Sequence, residues 1–282
     1  MNYIGFPNIG IQPFKINNTA FSLGALQVRW YGVIIVVGMI LGCLYAYYRM
    51  RSVGIKLDDI LDIIIICIPS GIIGARAFYV LTTLNEIEYK SFYDVIAIWE
   101  GGLAIYGSVI AGLIAMIIVC CVKKISVLQM LDCASPAVMI GQIIGRWGNF
   151  MNAEAYGVVG QYDFLGKSID LTSLAYGNPL LMTINGEMVH PTFLYESVWN
   201  LVGFLIINAF WKKRKYNGNV FLWYITWYGL GRCIIEGLRG DSLYIGSIRI
   251  SQAIALACFV VGLILLIIFA FRYKNAKRVE GK

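Results

Sequence analysis

The sequence predicts an all-α integral membrane protein: seven transmembrane helices with a small extracytoplasmic head. Three observations predict it. Of the 282 residues, 59% are hydrophobic and only 14% charged, with a mean hydropathy of +0.71, outside the range of soluble globular domains. Seven apolar stretches are long enough for a hydrocarbon core that takes about 20 residues of helix to cross. The basic residues alternate in step with those stretches.

The stretches are Tyr31–Tyr48, Ile60–Leu81, Leu103–Val122, Val127–Ile144, Pro191–Trp211, Val220–Ile235 and Ile250–Phe271. They are continuous in apolar character, whereas strands of a membrane barrel alternate over about ten residues. Arg49, Arg51 and Lys56 follow the first stretch. Lys123 and Lys124 follow the third, Lys212, Lys213, Arg214 and Lys215 the fifth, and Arg272, Lys274, Lys277, Arg278 and Lys282 the seventh. With seven spans, all of these fall on one side. The positive-inside rule then puts the N-terminus outside and the C-terminus in the cytoplasm. The net charge of +7 is thus a topology signal, with anionic membrane lipid as a secondary partner and no nucleic acid.

Residues 1–282 are expected to form a single membrane domain. Residues 1–30, with Pro7 and Pro13, are expected to lie as an outer arm, and residues 150–190 to form an extracytoplasmic head of turns or short strands. A connection this long is usually functional. Pro69 and Pro136 fall inside stretches and are expected to kink them. No basic region, apolar core and cleavage site open the chain, so no signal peptide is expected. The seven cysteines form no CxxC pair. Neither a disulfide framework nor a metal site is expected.

Polar residues converge at one depth. At about 1.5 Å per residue, Arg76 lies about 24 Å into the second span, in the outer half of a core about 30 Å thick. Arg146 falls at or just past the outer end of the fourth span, Arg232 past the midplane of the sixth, and Arg239 near the outer surface. Tyr31, Tyr106 and His190 lie near outer ends of other spans. Gln142, Arg146 and Asn149 share one helical stripe, and Tyr228, Arg232, Glu236 and Arg239 another. Glu236 between Arg232 and Arg239 would let one carboxylate hold two guanidiniums. A fixed Arg pair is a bidentate receptor for phosphate. An intramembrane Arg–Glu pair is often only glue between helices, and for Arg76 that reading stands first. Three or four Arg with only two Glu nearby, however, leave a positive excess that calls for an anionic ligand. His190 remains open between catalysis and hydrogen bonding at a helix start. The tryptophans at span ends, Trp30, Trp99, Trp211, Trp223 and Trp227, read as interface anchors.

Gly145-Arg146-x-Gly148-Asn149-Phe150-Met151-Asn152-x-Glu154-x-x-Gly157 resembles the signature of the prolipoprotein diacylglyceryl transferases at every defined position. Trp30-Tyr31-Gly32, Gly74-x-Arg76, Gly101-Gly102-Leu103, His190-Pro191-Thr192-x-x-Tyr195-Glu196 and Tyr228-Gly229-x-x-Arg232-x-x-x-Glu236-x-x-Arg239 are similar to further family motifs in the family's order. Phe193 replaces the common Gln. The resemblance implies transfer of the diacylglyceryl group of phosphatidylglycerol to the lipobox cysteine of a prelipoprotein, releasing glycerol phosphate, with no metal or nucleotide. It implies that Arg146, Arg232 and Arg239 bind the phosphate and that Glu236 holds the last two. Asn149, Asn152, Glu154 and Gly157 would shape the headgroup site, with Tyr31, Tyr228 and Arg76 lining it. Many members carry a histidine as proposed base where this chain has Tyr106, a poor base with a reference pKa of about 10. The positive field is then expected to activate the thiol, with Tyr106 as hydrogen-bond partner and His190 as rival base. The alternatives are a catalytically impaired, lipid-binding member of the family and a seven-span transporter. The transporter lacks support from internal repeats. A retinal protein would need a Lys in the last span, which has none.

Overall fold

The computed structural model describes residues 2–24, 26–172 and 178–280. Residues 173–177 of the expected head, and Lys282 of the basic tail, lie outside the described residues. The helices are α1 (Trp30–Ser52), α2 (Leu57–Thr83), α3 (Phe92–Ile96), α4 (Ile105–Lys123), α5 (Val127–Asn152), α6 (Thr192–Phe210), α7 (Asn219–Glu236) and α8 (Ile250–Glu280). Six helices among the described residues are long and apolar enough to cross a membrane: Trp30–Ser52, Leu57–Thr83, Ile105–Lys123, Val127–Asn152, Thr192–Lys213 and Ile250–Asn275. The remaining expected span forms α7, whose 18 residues include Arg232 and Glu236.

Strands complete the fold: β1 (Asn2–Phe6), β2 (Ile11–Ile16), β3 (Thr19–Leu23), β4 (Leu26–Arg29), β5 (Gly157–Val158), β6 (Gln161–Phe164), β7 (Lys167–Asp170), β8 (Met182–Ile184), β9 (Glu187–His190), β10 (Tyr244–Ile245) and β11 (Ile248–Arg249). The chain divides into two compact units, one of Met1–Tyr45 with Ala134–Lys282 and one of Ala46–Cys133.

In the larger unit the first residues are folded. β1 and β2 join β8, β9 and β5 in one antiparallel sheet, in the order β2-β1-β8-β9-β5. The ends of the chain segment expected as an arm and of the expected head thus pair with each other. Alternation supplies the reason: Ile4, Ile16, Met182, Ile184 and Val189 point to one side and are buried with Phe193. Phe193 also packs at a tilt on Phe150 at 4.9 Å and edge-on against Trp147 at 5.5 Å. Its replacement of Gln serves this apolar core.

α6 and α7 meet through a reciprocal joint. Trp199 and Trp227 stack at 4.4 Å. Each indole N–H donates to the other's carbonyl, at 3.0 and 2.9 Å. Each ring also covers a glycine on the facing helix, Trp199 over Gly231 and Trp227 over Gly203. Trp227 is therefore an interhelical contact rather than an interface anchor. Trp211 is buried too, whereas Trp30, Trp99 and Trp223 are exposed. α7 lies close on α8, where a Cβ on Gly229 would come within 2.7 Å of the Ala255 carbonyl.

In the smaller unit, α2 and α4 approach at Gly74 and Gly107. A Cβ on Gly74 would lie 2.6 Å from the Gly107 carbonyl. Lys123 binds Asp59 and Asp62 at 3.3 and 2.5 Å. α2 and α5 run on through Pro69 and Pro136.

Candidate functional site

The fourth apolar stretch ends by sequence at Ile144, but α5 continues to Asn152. Arg146, Asn149 and Asn152 are therefore helical, and Arg146 is inside the helix rather than past its end. The glycines of the motif permit this packing. Gly148 takes the Tyr31 ring against its backbone, where a Cβ would lie 2.8 Å from the ring, and Gly145 faces Ile35. Tyr31 is thereby held beside Arg146's turn. The helix then stops abruptly. Ala153 and Ala155 adopt positive φ of 52° and 57°, a conformation that costs L-residues about 1–2 kcal/mol. Thr192 at the start of α6 donates its hydroxyl to the Ala155 carbonyl.

Glu196, on α6, is the hub. It is 2% exposed. Its Oε1 accepts from Arg146 of α5 at 2.5 Å and its Oε2 from Arg232 of α7 at 2.9 Å. Arg232 also grips Glu236 at 2.6 Å, and Arg239 lies 3.9 Å from the same carboxylate oxygen. Three helices thus share one ionic chain. A polar branch extends it: Arg146 donates to Asn149 at 3.3 Å, and Asn149 and Asn152 donate to Glu154 at 3.0 and 3.3 Å. Below it Gln142 donates to Tyr224 at 3.0 Å, and Tyr224 stacks on Tyr228 at 5.9 Å. The structure brings Tyr31, Arg146, Asn149, Asn152, Glu154, Tyr228, Arg232, Glu236 and Arg239 into one region of the larger unit.

The charge balance differs from the expected excess. Arg239 makes a two-pronged pair with Asp241, both contacts at 2.9 Å. The three guanidiniums of Arg146, Arg232 and Arg239 thus face three carboxylates, Glu196, Glu236 and Asp241. The carboxylates are not alike. Those of the two glutamates are 2% exposed, whereas that of Asp241 is 51% exposed. Burial pushes the Asp241 carboxyl up, but the hydrogen bond from Arg239 and the charges around it outweigh burial and hold it below its ordinary value.

Gly157 joins head to helix. It pairs with His190 in the sheet and bridges to Arg239 just past α7. A Cβ there would meet His190 Cβ at 2.8 Å and the Leu238 carbonyl at 2.9 Å. Gly157→Ala is expected to push this junction apart and lower activity by about a hundredfold, the scale of an ångström misplacement. Turnover of the purified variant beside its melting temperature checks this; unchanged turnover would refute it. His190 Nδ1 faces the Tyr195 hydroxyl at 3.2 Å, and Asn178 donates to the same hydroxyl at 3.3 Å. Burial holds the His190 pKa below its ordinary value, which favours the neutral ring.

Arg76 and Tyr106 belong to the smaller unit. The Arg76 guanidinium donates to the carbonyls of Val95, Gly101, Gly102 and Asp94, at 2.6 to 3.1 Å. This is a clamp on the loop before α4, in line with the structural reading rather than the substrate-binding one. Gly101 and Gly102 take positive φ there. Tyr106, at the start of α4, packs on Phe78 at 6.5 Å.

The sequence leaves Glu196 either neutral or paired with an Arg, and the structure pairs it with two; the sequence does not single out Asp241, Arg249 or Asp163. Arg249, 4% exposed, donates to the carbonyls of Glu236 and Arg239, to Ser242 and to Asp163 of β6. It fixes the C-terminal end of α7 to the β6–β7 hairpin. Burial would raise the Asp163 carboxyl, but hydrogen bonds from Arg249, Gln161 and Ser168 hold it below the usual range. A lone acidic residue within an apolar span was the available signal for Glu196. No comparable signal marked Asp163 or Arg249, whose pairing joins positions 86 residues apart.

Among described residues no group of three or more His, Cys, Asp or Glu could hold a metal ion. The family model for prolipoprotein diacylglyceryl transferase matches residues 18–268. A Clostridium perfringens protein named phosphatidylglycerol–prolipoprotein diacylglyceryl transferase 1 is 40% identical, over 93% of this chain and 98% of its own. Proteins named phosphatidylglycerol–prolipoprotein diacylglyceryl transferase from Streptococcus equi subsp. zooepidemicus and Clostridium botulinum are each 41% identical. They cover 94% and 93% of this chain, and 98% and 100% of their own.

Proposed function

This chain belongs to the prolipoprotein diacylglyceryl transferase family, and from that premise we propose how its buried ionic chain carries out the transfer. It is a multi-pass protein of the bacterial inner membrane that moves the diacylglyceryl group of phosphatidylglycerol to a prolipoprotein. The acceptor is the lipobox cysteine thiol. α7 serves as the seventh span, since it is tied to α6 and α8 along its length. The N-terminus and the head lie outside, as the placement of basic residues implies.

In the reaction the sulfur forms a bond to the glyceryl carbon. The bond from that carbon to the phosphate oxygen breaks, and glycerol phosphate leaves with the electron pair. Arg146, Arg232 and Arg239 hold the phosphate and stabilise the charge that grows on it. The observation that carries this reading is Glu196 joining Arg146 and Arg232 from separate helices. Each guanidinium has five donors, so the glutamates aim the forks without using them up. Asp241, half exposed, gives way to the phosphate at Arg239. That exchange restores three guanidiniums against two buried carboxylates. Asn149, Asn152 and Glu154 orient Arg146, while Tyr31 and Tyr228 line the site.

Ionising a free thiol at pH 7 costs only about 2 kcal/mol. The guanidinium field of Arg146, Arg232 and Arg239 meets that cost, and the thiol proton passes to solvent water. His190, turned to Tyr195, acts in holding the head. Arg76 shapes the loop ahead of Tyr106.

The test is transfer of labelled diacylglyceryl from phosphatidylglycerol to a lipobox peptide, with a Cys→Ser peptide as control. Label is expected on the Cys peptide alone. Lipid binding with no transfer would favour the catalytically impaired alternative. Asp241→Asn is expected to lower KM for phosphatidylglycerol about two- to fivefold, the scale of an exposed ion pair, with kcat little changed. A raised KM would contradict Asp241 as the exchangeable partner.

A further inference from the structure

A polar pocket of about 200 Å³ adjoins Arg239 at the outer end of α7. Its walls are the Gly237–Gly240 backbone, Gln161 and Asp163 of β6, Arg249 of β11, and Tyr244 of β10. Resting on the phosphate site proposed above, we infer that this pocket receives the vicinal diol of the phosphatidylglycerol headgroup and so selects a glycerol headgroup over others.

The geometry runs from Arg239 outward. Arg239 belongs both to the ionic chain, through Glu236, and to the pocket wall. A phosphate held there has two ester arms. The diacylglyceryl arm turns into the membrane. The other arm turns to the opposite side, where α7 has ended and the pocket opens between the loop and the β6–β7 hairpin.

The lining matches two hydroxyls. The Asp163 carboxylate accepts from Gln161 at 3.1 Å, from Arg249 and from Ser168, and a carboxylate has about four acceptor positions, which leaves one open. A hydroxyl can therefore donate to it. The Nε of Arg249 is a buried donor without a hydrogen-bond partner among the described residues, suited to a hydroxyl oxygen. The wall sets the two guanidiniums of Arg239 and Arg249 against the one carboxylate of Asp163, a positive balance that disfavours the ammonium of an ethanolamine or choline headgroup. The same diol is carried by the released glycerol phosphate, so the chemistry fits the intact lipid or the product.

The experiment compares phosphatidylglycerol with phosphatidylpropanol, which lacks both hydroxyls, in the wild type and in Gln161→Leu and Tyr244→Phe. It also measures inhibition by glycerol phosphate against propyl phosphate. The wild type is expected to favour phosphatidylglycerol in kcat/KM by about tenfold or more, and Gln161→Leu to shrink that ratio below about threefold. A change confined to the glycerol phosphate inhibition supports the diol site and assigns it to the product. Equal wild-type rates on both lipids overturn the proposal. So does an equal loss on both lipids in each variant, which marks a structural role alone. Absence of transfer from either lipid by the wild type would instead refute the function proposed above.

Discussion

Glu196→Gln is expected to abolish transfer and to lower thermal stability together. The side chain is 2% exposed and each of its oxygens binds a different guanidinium. Glutamine keeps the shape and removes the charge. Its amide NH2 group would also point donors at donors. Arg232 would retain Glu236, but Arg146 would be left with the Asn149 contact at 3.3 Å. Breaking a buried pair by removing one partner costs about 3–5 kcal/mol. Loss of aim in the guanidiniums should lower kcat by at least about a hundredfold. A site that needed only positive charge would respond in the opposite direction, with tighter lipid binding and preserved turnover. Melting in detergent, KM for phosphatidylglycerol and kcat, measured on one preparation, separate the two. Turnover within tenfold of the wild type would exclude Glu196 as the organiser.

Arg232→Lys is the second large effect. Arg232 reaches Glu196 with Nη1 at 2.9 Å and Glu236 with Nη2 at 2.6 Å. A planar fork can serve both and still present donors to a phosphate. A lysine ammonium carries the same charge on a single nitrogen and cannot bridge the two carboxylates from that position. The expected loss is about a hundred- to a thousandfold in kcat. Folding should suffer less than in Glu196→Gln, because the ammonium still neutralises part of the pair. Retention of more than a tenth of wild-type kcat would show that charge alone suffices at this position.

Much of this molecule was legible in the sequence because bilayer physics constrains it so tightly. Long apolar runs and stepwise basic residues located the starts of the helices to within a few residues, while α5 and α8 run well past their expected ends. Spacing placed Arg232 and Glu236 on one face of α7, but Arg239, expected on the same stripe, lies three residues past the helix end and approaches Glu236 from the turn. The misses have distinct causes. The end of α5 escaped because Gly145, Arg146, Asn149 and Asn152 resemble the close of a membrane span. They are helical because Tyr31 and Ile35 pack on the glycines. The sheet formed by β1 with β8 escaped because it joins Ile4 to Ile184, and no local pattern encodes so distant a pairing. Asp241 was passed over because charge was counted only within spans. Its pairing with Arg239 turns an expected excess into balance.

The reciprocal stacking of Trp199 and Trp227 has a consequence for the enzyme in a living membrane. Bilayers swell, thin and change composition with temperature and growth, and helices tilt to follow. Glu196 sits three residues from Trp199, and Arg232 five from Trp227. A slide of one residue along the joint would be about 1.5 Å, enough to uncouple acid from base. Two indoles, each lodged over the other's glycine and bonded to the other's backbone, oppose that slide. The ionic chain is thereby insulated from the fluctuating medium around it: the scaffold can lean with the lipid while Glu196 and its guanidiniums keep their mutual alignment.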